Sequence, residues 1–175
     1  NFLFEKGRMG TLKAKAMFNN TEKQIDINAV ATDGQKRKTS ILGYVSPQKN
    51  YIDLNINAHN TRLEFMESFC SSFMHDVDAR ANGSVRLSGS LDNINLTGML
   101  VADGTLGITP LNTNYTLRND TIRFIPDEIE FRNDSIFDKD GNTGIVEGNI
   151  HHKHLTNLSY DLSVVSDNLL AFNTD

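Results

Sequence analysis

The chain has 175 residues, no tryptophan and a formal net charge of −5. This length fits one domain with a core of its own, and the acidic balance argues against a nucleic-acid-binding surface, which needs clustered positive charge. No apolar run of about 18 residues occurs, so we predict no membrane-spanning helix.

Alternation of apolar and polar residues dominates the first third of the chain and predicts β-strands. The apolar residues of each segment occupy one parity and the polar residues the other, as expected for a sheet with one apolar face. The clearest segment is Ile52–Ala58, in which Asp53, Asn55 and Asn57 separate the apolar residues. Related patterns occur at Leu12–Phe18, Ile25–Ala31 and Ile41–Val45.

One segment departs from this period. The apolar residues from Leu63 to Val77 recur at spacings of three and four, which predicts an amphipathic helix over residues 62–75. Thr61 and Glu64 fit a capping box at its start. Its polar face lacks the lysine and arginine enrichment of membrane-surface helices, so we expect it to cover an end or edge of the sheet.

The segment Gly83–Ile108 has the most regular alternation, with glycine recurring through it. Its apolar residues fall on odd positions up to Leu91 and on even positions from Ile94 onward. A turn at Asp92–Asn93 accounts for this change, because a one-residue phase shift within a strand would move the apolar set to the other face. Weaker strand patterns follow at Tyr115–Leu117, Thr121–Ile125, Ile129–Phe131, Gly144–Ile150 and Ser159–Val165.

Two short similarities recur within the chain. Tyr51–Phe65 is similar to Ser159–Phe172, which suggests a repeat architecture. Asp120–Ile122 and Asp134–Ile136 both match a bacterial O-glycosylation acceptor pattern, an aspartate followed by serine or threonine and an apolar residue. A three-residue pattern leaves open whether Thr121 or Ser135 is modified.

Two motifs invite a metal-binding interpretation, and in both cases a turn is the better one. His151–His154 places two imidazoles on one strand face, which is too few for a closed metal site, so we interpret it as a solvated hairpin turn. Asp138–Asn142 begins like a calcium loop, but its glycine comes too early for the helix–loop–helix pattern, and Asp-Gly and Gly-Asn pairs favour hairpin turns. We therefore predict no metal site.

The sequence also offers no catalytic residue. It has no nucleophile elbow, no phosphate-binding loop and no dinucleotide-binding glycine motif. Asp127, Glu128 and Glu130 follow a proline in a predicted loop, with nothing to place them across a cleft. Cys70, the single cysteine, falls on the apolar face of the predicted helix, where a thiol usually packs. We predict no enzyme activity and no cofactor.

The alternating segments together predict a mainly β fold. A sheet with one apolar face must cover it with another sheet, a helix or a ligand, and only one helix is predicted. Glycines at bends allow a sheet to curl, so we expect one domain over residues 1–175, a curled antiparallel sheet or open β-trough. The apolar lining of this trough is the candidate cargo site, and its candidate residues are Ile52, Leu54, Ile56, Val85, Leu87, Leu91, Ile94, Leu96 and Leu100.

Two longer motifs carry a family resemblance. Gly83–Val101 reads G-x-[VL]-x-[LI]-x-G-x-[LI] followed by L-x-G-x-[LV], and Asp140–Ile150 reads D-G-N-T-x-x-[VL]-x-G-x-[IV]. With the text around them, from about Tyr51 to Thr174, they resemble the C-terminal region of the TamB family of translocation and assembly module proteins, in the AsmA-like superfamily. The first fifty residues match that family only in style, and the motifs contain patterns of pleat and turn without any catalytic residue.

The resemblance implies a fragment of a longer envelope protein with a β-taco-like fold. Such proteins are anchored in the inner membrane of a double-membraned bacterium and extend across the periplasm to an Omp85-family barrel protein in the outer membrane. The implied role is outer-membrane biogenesis, with phospholipid or unfolded β-barrel segments as cargo and no nucleic acid. Family members continue past the motif at Phe172–Thr174 into the tail that engages the barrel protein, so no residue here is assigned to that contact.

Two alternatives from other classes stay open at this point. One is a structural β-solenoid spacer or adhesin-like domain, in which the apolar face would be sealed as a core. The other is a carbohydrate-active enzyme, which the sequence disfavours because it offers neither a placed acid pair nor a tryptophan platform.

Overall fold

Twelve β-strands make up most of the described structure. The computed structural model describes residues 3–4, 7–8, 11–32, 38–64, 67, 73–153 and 156–172. The strands are β1 Leu3–Phe4, β2 Gly7–Arg8, β3 Thr11–Asn19, β4 Gln24–Thr32, β5 Lys38–Ser46, β6 Tyr51–Arg62, β7 Met74–Ser90, β8 Asn93–Ile108, β9 Thr113–Ile125, β10 Glu128–Phe137, β11 Thr143–Lys153 and β12 Thr156–Val165. A 3₁₀ turn at Thr109–Leu111 links β8 to β9.

Strands β3 to β12 form one ten-stranded antiparallel sheet in which every strand pairs with its sequence neighbours. β3 and β12 are the two edges, and they do not pair with each other, so the sheet stays open. Strands β1 and β2 form a separate two-stranded sheet. The predicted fold class, a mainly β protein with an open antiparallel sheet, is confirmed.

The turn predicted at Asp92–Asn93 is present but lies one residue earlier, at Leu91 and Asp92, and Asn93 begins β8. Farther along, the two short patterns at Tyr115–Leu117 and Thr121–Ile125 belong to the single strand β9. Asn119 interrupts that strand with a φ of 56°, and it lies in a β-bulge that shifts the apolar residues from odd to even positions. The sequence pattern therefore resembled two short strands.

The amphipathic helix predicted over residues 62–75 has wrong bounds. Arg62 is the last residue of β6, while Met74 and His75 are the first residues of β7. Residues 65–66 and 68–72, which make up half of the predicted helix, lie outside the described residues. Of the apolar residues with this spacing, Met74 and Val77 belong to β7, and Leu63 follows β6 with its backbone N–H bonded to the carbonyl of Ala79.

The sheet is strongly curved between β7 and β12. Four strands separate these two in the sheet order, and a flat sheet would hold them about 24 Å apart at about 4.8 Å per strand. Yet the ring of Phe73, immediately before β7, stacks on the ring of Tyr160 in β12 with centroids 4.9 Å apart. This half of the sheet therefore curls so that its inner side is partly enclosed.

Recurring glycines lie where neighbouring strands approach most closely. Gly83 in β7 and Gly98 in β8 have φ angles of 139° and 127°. A Cβ atom on Gly98 would overlap the carbonyl oxygen of Ser84, and one on Gly83 would overlap that of Met99. The recurrence of glycine in this segment thus reflects backbone geometry that other residues rarely adopt.

Candidate apolar groove

One face of the ten-stranded sheet carries mainly apolar side chains from edge to edge, and we call it the inner face. Directly opposed residues of an antiparallel pair lie on the same face, as do residues two apart in a strand. In the centre of the sheet Leu54 of β6 opposes Leu87 of β7, which opposes Leu96 of β8. The same rule extends the face to Phe18 in β3 and to Leu162 in β12 through the intervening registers.

The structure brings the candidate cargo residues together on this face, with one exception. Val85 and Leu100 are buried there. Half-buried on the same face are Ile52, Leu54, Ile56, Leu87, Ile94 and Leu96. Leu91 lies in the turn between β7 and β8 and is 37% exposed, so its place on the trough wall is not supported. Leu91 was a candidate because its odd position continues the alternation of β7, but that strand ends one residue earlier, at Ser90.

The inner face leads into an apolar cavity of about 380 Å³ inside the curled half of the sheet. Of the nine candidates only Leu100 lines it. Most of the wall comes from β9 to β12, including Ile122, Phe124, Ile129, Ile136, Val146, Ile150 and Leu162. Bulges in β9 and β10 interrupt the alternation around Ile122 and Ile136, while the wall residues of β11 and β12 lie in segments whose strand pattern is weaker in the sequence.

Two carboxylates, Asp120 and Asp134, also line the cavity, and both residues are more than nine-tenths buried. They stand in the matching sequences R-N-D-T-I and R-N-D-S-I on adjacent strands. Asp120 accepts backbone N–H bonds from Arg118 at 2.8 Å and from Ser135 at 3.1 Å. Asp134 accepts the equivalent bonds from Arg132 at 2.8 Å and from Thr121 at 3.1 Å.

Through these bonds the two carboxylates stabilise a β-bulge in β9 and another in β10. Asn119 and Asn133 take left-handed φ angles of 56° and 54°, which free backbone N–H groups from the ladder, and each aspartate accepts two of them. Burial raises the pKa of Asp120, and the Asp134 carboxylate adds to the rise, while the Arg118 N–H opposes it. The aspartates of the two acceptor-like motifs thus have a structural role in the sheet.

Near the β3 edge the inner face is much more open. Phe18 is 61% exposed, and the inner-face residues of β4, β5 and β6 are mostly half-buried. No strand or helix of the described residues covers them. The groove therefore has an open part beside β3 and an enclosed part at β8 to β12.

The segment after β12 folds back over one end of the enclosed part. Tyr115 donates its hydroxyl to the carbonyl of Leu170 at 2.9 Å, and Leu170 donates its N–H to Asp138 at 2.9 Å. Asp138 also accepts the backbone N–H groups of Asp140 and Asn142. The Asn142 amide and these N–H groups lower the pKa of Asp138 to about 2. The predicted turn at Asp138–Asn142 is confirmed, and its first aspartate binds this C-terminal segment.

The histidine motif is less solvated than predicted. His151 and His152 belong to the end of β11, and His152 is 5% exposed, so for this residue the prediction of a solvated turn is wrong. Its backbone N–H donates to the carbonyl of Asp127, in the turn between β9 and β10, at 2.8 Å. His154 lies outside the described residues.

The remaining polar clusters among the described residues pair acidic side chains with a neighbouring basic residue. Glu130 is held by Arg132 at 2.8 Å on the outer face, and Glu128 lies 3.4 Å from His151. In the described part of the chain no three histidine, cysteine or acidic side chains are grouped as a metal site would need. Nor does that part contain a helix with the length and hydropathy to span a bilayer.

Comparisons with known proteins identify no relative. No family model matches the chain, and neither a curated protein nor a solved structure shows significant similarity to it.

Proposed function

We propose that the chain is a non-catalytic periplasmic segment of a TamB-like or AsmA-like outer-membrane biogenesis protein, and that its inner face carries apolar cargo between the membranes. The whole protein would be anchored in the inner membrane and would reach an Omp85-family barrel protein in the outer membrane. The sequence motifs described above support the family. The observation that carries the proposal is the continuous apolar inner face, open beside β3 and ending in the 380 Å³ cavity.

The chemistry of the inner face favours a phospholipid acyl chain as cargo over an unfolded β-barrel segment. Burying apolar area contributes about 25 cal/mol per Å² and has no preferred direction, so a chain can bind and still slide. A polypeptide would also need partners for its backbone N–H and C=O groups. The inner face offers few, because the backbone groups of its strands are engaged in the ladder.

A structural spacer with a sealed core is the alternative function, and the exposure of the inner face argues against it. A closed solenoid would bury the apolar side chains of all its strands. Here Phe18 is mostly exposed, and Leu54 and Ile56 are only half-buried.

The test is photo-crosslinking from two adjacent residues of β6 that point to opposite faces. A benzophenone amino acid replaces Leu54 on the inner face or Asn55 on the outer face of the full chain. Each variant is incubated with phosphatidylethanolamine–phosphatidylglycerol vesicles that contain a fluorescent phospholipid, and is then irradiated. We expect lipid adducts from position 54 and not from position 55. Equal labelling from both positions, or no labelling at either, would contradict the proposal.

A further inference from the structure

A glycine leaves a gap in the apolar lining of the inner face. Leu117 of β9 opposes Ile136 of β10, and Ile136 opposes Gly144 of β11, so the three residues form one row on this face. Leu117 and Ile136 line the cavity, whereas Gly144 has no side chain to contribute. The lining therefore has a notch at the Gly144 end of the row, next to the cavity-lining residue Val164.

Leu169 fills this notch from outside the sheet. It belongs to residues 166–172, which follow β12 without forming a strand, and we call this segment the strap. A Cβ atom on Gly144 would lie 2.7 Å from Cδ2 of Leu169, so the leucine occupies the place that a side chain at position 144 would take. Gly144 is buried beneath it.

A turn at Ser166 directs the strap back over the sheet. The Ser166 hydroxyl donates to the carbonyl of Thr143 at 2.6 Å and accepts the backbone N–H of Leu169 at 2.9 Å. Serine hydroxyls stabilise turns of this kind by bonding the backbone a few residues on. Farther along, the two hydrogen bonds of Leu170 described above anchor the strap to β9 and to the end of β10. The strap thus crosses one end of the cavity.

The strap can leave the notch without opening the sheet. It takes no part in the ladder of β3 to β12, and its residues are exposed apart from Leu169 and Leu170, which are half-buried. Segments with few buried apolar contacts open locally at a small cost in free energy. Withdrawal of Leu169 would extend the apolar cavity over Gly144 by the space of one leucine side chain.

We propose that the strap is an autoinhibitory plug, in which Leu169 competes with an apolar chain for the notch at Gly144. Two groups cannot share this space, so a fully seated chain and a closed strap exclude each other. The apparent affinity for the chain is then reduced by the fraction of molecules whose strap is closed. This inference rests on the proposed function, because it requires the cavity to accept apolar chains.

The first test compares two alanine substitutions within the strap of the full chain. Leu169→Ala empties the notch, and Phe172→Ala, at a side chain that is 58% exposed, is the matched control. Each variant is titrated with N-phenyl-1-naphthylamine, an uncharged apolar dye whose fluorescence rises on burial. We expect Leu169→Ala to bind the dye about tenfold more tightly than the natural chain, and Phe172→Ala to bind it equally well. A leucine that only stabilised the fold would give unchanged or weaker binding.

The second test locks the strap in place. Gly144→Cys and Leu169→Cys are combined in a chain whose Cys70 is replaced by serine. Cγ of Leu169 lies 3.5 Å from the Cβ position of residue 144, which brings the two sulfurs within reach of a disulfide. We expect oxidation to weaken dye binding about tenfold and dithiothreitol to restore it, so the reduced protein is its own control.

The outcomes separate the plug from the cargo function. Equal dye binding by the natural, Leu169→Ala and oxidised chains, or weaker binding by Leu169→Ala, would overturn the plug and leave the proposed function in place. Failure of every form to bind the dye would contradict the proposed function and the plug together.

Discussion

The two halves of the sheet share one alternation of apolar and polar residues but differ in burial. In β3 to β6 the described strands bury a single hydrophobic residue, Ala29, whereas the buried core cluster of β7 to β9 includes Val85, Leu100, Leu117 and Phe124. The pairings of β3 to β6 have no register shift, while those from β6 to β12 contain bulges at several points. Bulges bend strands and increase their twist. The groove is therefore enclosed where bulges interrupt the alternation of apolar and polar residues, and it stays open where the alternation is uninterrupted.

Two phenylalanines on the inner face give the strongest test of this comparison. Phe124 is 5% exposed in the curled half and Phe18 is 61% exposed at the β3 edge. We expect Phe124→Ala to lower the free energy of unfolding by about 3–5 kcal/mol, because it leaves a cavity in a packed region. Phe18→Ala should change it by less than about 0.5 kcal/mol. Urea denaturation measures both, and similar losses would mean that the two halves are equally packed.

Hydrogen exchange should separate the halves without any substitution. Amides of β8 and β9 lie in the middle of the core cluster, and those of β3 and β4 lie beside an exposed face. Local opening costs little free energy where few apolar contacts are broken, so we expect exchange in β3 and β4 to be about hundredfold faster. Uniform protection from β3 to β9 would show one cooperative unit instead.

The sequence allowed prediction of the fold class, the face that each regular strand presents and two of its turns. It did not allow prediction of the cavity wall, because the position of a residue such as Ile122 or Ile136 depends on bulges at Asn119 and Asn133. A left-handed asparagine followed by aspartate is a usable signal in retrospect, since asparagine tolerates that conformation and the aspartate can accept the released N–H groups. The helix prediction had wrong bounds because the same spacing continues into the start of strand β7, at Met74 and Val77.

Glycine replacement should distinguish the halves by how far each backbone can relax. Gly98 in β8 and Gly43 in β5 both have positive φ, and a Cβ on either would overlap a neighbouring strand. We expect Gly98→Ala to cost about 1–3 kcal/mol, since the core fixes the surrounding strands. Gly43→Ala also brings its Cβ against the backbone carbonyl oxygen of Asp53, but it should cost less than Gly98→Ala, because uncovered strands can shift. Thermal denaturation of both variants makes the comparison, and a larger loss for Gly43→Ala would contradict it.

The smallest expected effect is a pH dependence confined to the curled half, where Asp138 binds the segment after β12. Its pKa of about 2 lies below the ordinary value of 3.8, so its contribution to stability is full above pH 4 and is lost as the pH falls toward 2. Asp120 acts in the opposite sense, since a raised pKa adds stability as the pH falls toward 3.8. Asp138→Asn should therefore flatten the acid loss measured by urea denaturation between pH 4 and pH 2. Asp140→Asn, the exposed neighbour in the same turn, is the control; an unchanged acid profile in Asp138→Asn would show that the segment is held mainly by Tyr115.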